Sequence, residues 1–112
     1  MDIQLQEYKD ITVVTLSKDI DLYSAPFLRK QLKTLHSSKK NKIIFNFENV
    51  SYIDSSGLSV LVGEYSHQKQ FNYNLKFINL SEKIKKIFRW SNFMEAVEIY
   101  DTLEEALKSF SK

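Results

Sequence analysis

The sequence predicts an α/β fold, in which helices pack on a small mixed β-sheet of about four to five strands. Segments rich in β-branched and aromatic residues alternate along the chain with segments whose apolar residues recur at the helical period. The chain has 112 residues, a length that suits one hydrophobic core. Its 43% hydrophobic and 27% charged residues are ordinary for a folded globular protein. We therefore expect a single domain over residues 1–112.

The first half of the chain predicts two strands, a helix and a third strand. Lys9-Asp10 is the expected hairpin turn between the two opening strands, and residues 17–24 are polar and turn-like. Pro26 fits the first turn of the first helix, and residues 37–42 form a basic loop before a strand over 43–47. Because this strand follows a helix, we expect a right-handed crossover and parallel pairing. The apolar face of the first helix consists of Ala25, Leu28, Leu32 and Leu35.

The second half predicts two more strands, each followed by a helix. Residues 71–74 supply a turn, residues 75–80 a strand, and residues 96–100 a last short strand. Ser81 caps a helix that ends near Asn92, a residue type suited to the left-handed conformation after a helix. Thr102 to Glu105 form a capping box for the final helix. The apolar residues expected on these two helices are Ile84, Ile87, Phe88, Leu103, Ala106, Leu107 and Phe110.

The centre of the chain is the stretch Asp54-Ser55-Ser56-Gly57, which lies where a strand gives way to a second helix that ends near Gln70. Asp and Ser are preferred N-cap residues, so Asp54 or Ser55 has a structural use here. The same helix entrance also suits a phosphate. Gly57 lets an anion or another backbone approach closely, and a tight crossing over the chain's own sheet explains it equally well. The predicted apolar stripe of this helix is Leu58, Leu61, Val62 and Tyr65.

Several classes of function are disfavoured by composition. There are no cysteines, which excludes disulfides, thiolate metal sites and thiol nucleophiles. The net charge of +2 is too small for a nucleic-acid footprint. No apolar run approaches the ~20 residues of a membrane span, and the N-terminus does not resemble a signal peptide. We expect a cytoplasmic protein that neither binds nucleic acid nor inserts into a membrane.

Enzymatic activity is not predicted. A serine nucleophile needs a neighbouring base, but His67 lies roughly 18 Å along the second helix from Ser55, and His36 is expected to be a solvated, lone histidine. Hydrolase elbows, phosphate-binding loops and clustered metal ligands are absent from the sequence. We therefore expect no catalytic residue, no metal and no cofactor.

A row of small residues on one flank of the second helix is a candidate contact surface. It packs either against the chain's own first helix or, if exposed, against another protein. Candidate apolar contacts nearby are Tyr23, Phe93 and Met94. The small residues of the row are Ser56, Ser59, Gly63 and Ser66.

The stretch Asp54-Ser55-Ser56-Gly57-Leu58, preceded by Tyr52-Ile53 and a hydrophobic strand, resembles the signature of the STAS family, specifically the bacterial anti-sigma factor antagonists. Asp19-Ile20-Asp21 matches a second family element. The resemblance implies that Ser55 is a phosphoacceptor, with Ser56 as the second choice, and that Asp21 is the acidic residue beside it. Lys18 stands where related proteins usually carry Gly, as does Asn92.

The resemblance implies partner switching as the function. The unmodified protein would bind a kinase-type anti-sigma factor and free the sigma factor. That kinase would then phosphorylate Ser55, and a PP2C-type serine phosphatase would restore the active form. The alternatives are a constitutive STAS scaffold subunit, for example of a membrane lipid-transport complex, and a hydrolase using Ser55. The expected partner-binding residues are Asp21, Tyr23, Asp54, Ser56, Gly57, Ser59 and Gly63.

Overall fold

The computed structural model of the protein describes residues 2–38, 42–70 and 74–111, so most of the predicted turn at 71–74 and part of the basic loop at 37–42 lie outside the described residues. Within these ranges there are five strands and five helices. The strands are β1 (Asp2–Tyr8), β2 (Ile11–Ser17), β3 (Lys42–Asn49), β4 (Asn74–Ile78) and β5 (Glu98–Tyr100). The helices are α1 (Ala25–Ser37), α2 (Ser55–Gln70), α3 (Glu82–Trp90), α4 (Phe93–Ala96) and α5 (Leu103–Ser109).

The strands form one mixed sheet in the order β1-β2-β3-β4-β5. β1 and β2 pair antiparallel, and the other neighbours pair parallel. Lys9 closes the hairpin between β1 and β2 with a φ of 59°, which confirms the predicted turn at Lys9-Asp10. The predicted α/β fold with a small mixed sheet is therefore confirmed.

Both faces of the sheet are covered. Val14 and Leu16 of β2 point into the larger core, which also contains the buried apolar side chains of α1, α2 and α3. Val13 points into a smaller core under α5. Because successive side chains of a strand face opposite sides of the sheet, β2 contributes to both cores.

Three helices begin where the sequence predicts, and two of them begin at predicted caps. Pro26 lies in the first turn of α1, and the predicted apolar face of that helix is buried. The Ser81 hydroxyl accepts a hydrogen bond from the Ile84 amide (3.2 Å) at the start of α3. The Thr102 hydroxyl accepts one from the Glu105 amide (3.2 Å) at the start of α5. α1 continues to Ser37, so the loop after it begins later than predicted.

The region after α3 differs from the prediction. Asn92 is left-handed, with a φ of 61°, as expected of a residue that ends a helix. The short helix α4 then follows, and it contains Ala96, so the prediction that the last strand begins at Ala96 was wrong. β5 begins at Glu98. Phe93 is buried in the core, and Met94 packs against it.

The buried face of α2 is also rotated relative to the prediction. Val62, predicted to point inward, is 40% exposed, whereas Val60 is buried. The prediction was wrong because two positions of the buried face carry polar side chains, which apolar periodicity cannot detect. The buried residues of α2 are Gly57, Val60, Leu61, Glu64 and Gln68.

Candidate functional site

Two loops at the carboxyl ends of β2 and β3 are joined side by side. The Ile20 amide donates to the Tyr52 carbonyl oxygen (3.1 Å), and the Asp54 amide donates to the Ile20 carbonyl oxygen (3.1 Å). Ile20 and Ile53 thus form an isolated parallel bridge. Ile20 is fully buried, which the polar and turn-like character predicted for residues 17–24 did not indicate.

Carboxylates fasten this pair of loops. Asp19 Oδ1 accepts from the amide (3.2 Å) and the hydroxyl (2.9 Å) of Ser51. At the other end of this loop pair, Asp54 Oδ2 accepts a hydrogen bond from the Leu22 amide (3.0 Å). Asp21 acts within its own loop, where its Oδ1 accepts from the amides of Tyr23 and Ser24, both at 3.0 Å.

Asp54 is the N-cap of α2. Its Oδ1 accepts a hydrogen bond from the Gly57 amide (2.9 Å), one of the donors that the first turn of a helix leaves unpaired. Its two carboxylate oxygens therefore hold the helix start and the neighbouring loop at the same time. Of the two residues predicted as the N-cap, Asp54 is therefore the one that caps α2, and Ser55 does not cap it.

Ser55 is the first residue of α2 and is exposed. Its hydroxyl makes no hydrogen bond to any residue that the structure describes. A serine at a helix entrance with neither a buried side chain nor a partner is accessible to another protein. Ser56, the second-choice acceptor, is only partly exposed.

Gly57 packs against the adjacent loop. A Cβ atom at this position would lie 2.4 Å from the Ile20 carbonyl oxygen, far inside van der Waals contact. The absence of a side chain is thus explained by the close approach of the chain's own backbone. Gly57, one of the expected partner-binding residues, is thus buried beneath the loop of Ile20.

The flank of small residues on α2 is open. Ser59 and Gly63 are exposed, and no described atom from outside this stretch of α2 lies within 4 Å of a Cβ built on Gly63. With Leu32 and Lys33 of α1 they line a cleft of about 350 Å³, which we call the α1–α2 cleft. Of the two arrangements predicted for this row, tight packing against α1 does not occur at Gly63.

Exposed aromatic side chains lie in the groove beside Ser55 and in the loop that is tied to Asp54. Trp90 of α3 is 94% exposed, and Tyr23, two residues after Asp21, is 89% exposed. Tyr52 and Trp90 line a groove of about 710 Å³ together with Ser55. We call Tyr23, Tyr52, Ser55 and Trp90 the Ser55 surface. The sequence had indicated Tyr23 but not Tyr52 or Trp90, because apolar residues at the ends of elements look the same whether buried or exposed.

The two histidines lie in the α1–α2 cleft. His36 is not the lone solvated residue that was expected, because its Nε2 lies 2.7 Å from Glu64 Oε1. Its ring stacks on the ring of His67 with centroids 3.7 Å apart. Among the described residues, no group of three or more histidine, cysteine or acidic side chains is arranged to hold a metal ion. No helix within the described ranges is long and apolar enough to span a bilayer.

Comparison with known proteins identifies the class of domain. The family model for the STAS domain matches residues 2–106, so the chain belongs to the STAS-domain family. Within this family it is similar to the anti-sigma-B factor antagonist of Bacillus subtilis, with 31% identity over 99 residues, which cover 88% of this chain and 90% of the relative. The relatives most similar in sequence thus include bacterial anti-sigma factor antagonists.

Solved structures agree on the fold. A candidate anti-sigma factor antagonist from Thermotoga maritima superposes with a TM-score of 0.94 at 22% identity, covering 98% of this chain and 95% of its own. The Bacillus cell fate determinant SpoIIAA in its phosphorylated form superposes with a TM-score of 0.75 at 24% identity, covering 97% and 99%. At these identities the superpositions establish the fold alone.

Proposed function

We propose that this protein is an anti-sigma factor antagonist switched by phosphorylation of Ser55. In its unmodified form it binds a kinase-type anti-sigma factor and thereby frees the sigma factor. The observation that carries the proposal is the position of Ser55, which is exposed at the entrance of α2 beside exposed aromatic residues. Its hydroxyl makes no hydrogen bond to any of the described residues. The similarity to anti-sigma factor antagonists supports the same role.

The Ser55 surface has the composition of a docking site. Aromatic side chains bury a large apolar area on binding with little loss of conformational freedom, and Tyr and Trp are enriched among the residues that dominate binding energy. Tyr23 and Trp90 are almost entirely exposed in the isolated domain. The partner would cover them, which would bury Ser55 at the same interface.

Phosphorylation would reverse this docking through electrostatics. A phosphate adds about −1.5 to −2 charges. At Ser55 it would stand next to the Asp54 carboxylate, in a loop pair that also carries Asp19 and Asp21. The dipole of α2 favours the phosphate in the free and the bound protein alike, so it does not decide the equilibrium. A difference of ~3 kcal/mol from desolvating the phosphate beside carboxylates weakens binding about a hundredfold.

The proposed partners are an anti-sigma factor that uses ATP to phosphorylate Ser55 and a PP2C-type serine phosphatase that removes the phosphate. The domain itself is proposed to be a binding protein rather than an enzyme. His36 and His67 contact each other in the α1–α2 cleft, where His36 meets Glu64, which leaves no support for either as the base of a serine hydrolase. The cytoplasm is the proposed compartment.

The test compares Ser55→Ala with Ser55→Asp in binding to the cognate anti-sigma factor by isothermal titration calorimetry. Ser55→Ala should bind like the wild type and incorporate no phosphate from the kinase and ATP, and Ser55→Asp should bind more weakly. Ser111→Asp is the matched control, because Ser111 is exposed after α5 and does not line the groove beside Ser55. Ser56→Ala should keep phosphate incorporation.

Equal binding by Ser55→Ala and Ser55→Asp would contradict the switch. Binding without any phosphate on the peptide containing Ser55 would favour the constitutive STAS scaffold instead. Phosphate on Ser56 rather than Ser55 would move the acceptor by one residue and leave the docking surface in place.

A further inference from the structure

Glu64 is a carboxylate buried in the middle of α2, with only 2% of its side chain exposed. Its Oε1 lies 2.7 Å from Nε2 of His36, and its Oε2 accepts from Gln68 Nε2 at 2.8 Å. Buried acidic side chains are rare unless they are paired. The two partners come from both helices, so Glu64 joins α1 to α2 across the cleft.

No lysine or arginine within the described residues forms an ion pair with Glu64. In the part of the chain that the structure describes, Arg29 and Lys33 of α1 line the same cleft, but neither forms an ion pair with Glu64. His67, which lies on the same helix as Glu64, stacks its ring on the ring of His36. The sheet beneath α2 contributes apolar residues of the larger core. Lys69 and Glu98 line a separate cavity beside Gln68.

We propose that His36 and Glu64 form a proton-dependent clasp between α1 and α2, which holds the helices tightly when it carries an additional proton and loosens when that proton leaves. The geometry joins the two titratable groups directly, because Nε2 of His36 and Oε1 of Glu64 lie 2.7 Å apart, within one hydrogen bond. This role requires a carboxyl group whose ionised form is unfavourable in the folded protein.

Burial makes the ionised form of Glu64 unfavourable. It raises the pKa of Glu64 to about 7, against smaller opposing effects of the Gln68 hydrogen bond and the charge of His67. Burial also lowers the pKa of His36, so the imidazole does not readily become the compensating cation. Glu64 therefore takes up and releases its proton close to neutral pH, where an exposed carboxyl is fully ionised.

Gln68 can serve both states of the clasp. Its amide donates to the ionised carboxylate as it stands, whereas its Oε1 is buried and has no hydrogen-bond partner among the described residues. Rotation of the amide by half a turn would present Oε1 to Oε2 of Glu64, where it would accept from the protonated carboxyl. The protonated state thus has a ready acceptor.

The sign of the pH dependence follows from the direction of the shift. Because the folded domain binds the Glu64 proton more tightly than the unfolded chain, the stabilisation is fully present below the carboxyl's unfolded pKa and is lost as pH rises through about 7. His36 acts oppositely, since its lowered pKa reduces stability as pH falls below the ordinary imidazole value. Loss of the Glu64 proton leaves a charge beside an open cleft, and water entering to solvate it separates the helices.

The experiment follows the proton and the helix contact separately by NMR. In the wild type, the side-chain carboxyl carbon of Glu64 should titrate near neutral pH, and the exposed residue Glu95 provides the site for a control substitution. Amide protection factors in the last turns of α1 should fall between about pH 6 and pH 8, the range on either side of the Glu64 pKa. Glu64→Gln should abolish that fall, and Glu95→Gln should keep it.

Titration of Glu64 in the ordinary acidic range would overturn the proposal on the wild-type protein alone, whether or not the variant folds. Equal pH dependence of α1 protection in Glu64→Gln and Glu95→Gln would overturn the clasp. The readout involves no anti-sigma factor and no phosphate, so its outcome is independent of the function proposed for Ser55.

Discussion

Gly57 of α2 lies directly against the backbone of Ile20, so that a Cβ at Gly57 would meet the Ile20 carbonyl oxygen at 2.4 Å and its Cγ2 at 2.6 Å. The same carbonyl oxygen accepts the hydrogen bond from the Asp54 amide. The helix that presents Ser55 and the loop that carries Asp21 are therefore fixed to each other by backbone contact, which requires a residue without a side chain.

The first prediction is that Gly57→Ala destabilises the domain by about 2 kcal/mol, a usual magnitude for overpacking. A backbone carbonyl cannot move aside as a flexible side chain can, so α2 must shift. Gly63→Ala is the control, because the site is open and Ala is favoured over Gly in a helix by about 1 kcal/mol. Urea unfolding of both variants measures the difference. A Gly57→Ala domain as stable as Gly63→Ala would contradict the packing argument.

The second prediction concerns Lys18, which has a φ of 69°. A residue with a Cβ is strained in this left-handed conformation, and Gly is not. Lys18→Gly should therefore stabilise the domain by about 0.5–1 kcal/mol in thermal unfolding, the gain being limited by the greater freedom of Gly in the unfolded chain. Lys30→Gly, at an exposed position inside α1, should instead destabilise by about 1 kcal/mol. Destabilisation by both substitutions would show that Lys18 makes a compensating contact.

The third prediction separates the two duties of Asp54. Its carboxylate caps α2 through the Gly57 amide and ties down Leu22. Ser81 also caps a helix, α3, but among the described residues it makes no comparable bond to a neighbouring loop. Ser81→Ala should cost about 1 kcal/mol, as a lost cap does, whereas Asp54→Ala should cost about 2 kcal/mol because it also leaves the Leu22 amide without its acceptor. Equal losses in chemical denaturation would mean that the tie to Leu22 contributes nothing.

The sequence contains most of the fold in its periodic segments, because one-sided burial leaves a visible pattern. The first helix shows this well, since each residue predicted on its apolar face is buried. The pattern fails in α2, where Glu64 and Gln68 occupy buried positions through hydrogen bonds that no local pattern records. Ile20 was missed for a related reason, as a single apolar residue among polar ones has no period. The exposure of Trp90 depends on how α3 packs, which is a tertiary property.

The last prediction uses Trp90, the only tryptophan in the chain and 94% exposed. It lines the groove beside Ser55, so a partner docked on the Ser55 surface must remove its indole from water. Adding the cognate anti-sigma factor, engineered to lack tryptophan, should shift the emission of Trp90 to shorter wavelength. Ser55→Asp should require a higher partner concentration for the same shift, because its charge weakens docking.

Trp90→Ala should weaken binding by about 2 kcal/mol, as loss of a central aromatic contact does, with folding unaffected at so exposed a site. Phe27→Ala is the control, since Phe27 is 41% exposed on α1 and does not line this groove. If Trp90→Ala binds as tightly as the wild type, and the emission of the wild type does not change on binding, the partner docks elsewhere. The position of Ser55 beside the aromatic groove would then have no bearing on recognition.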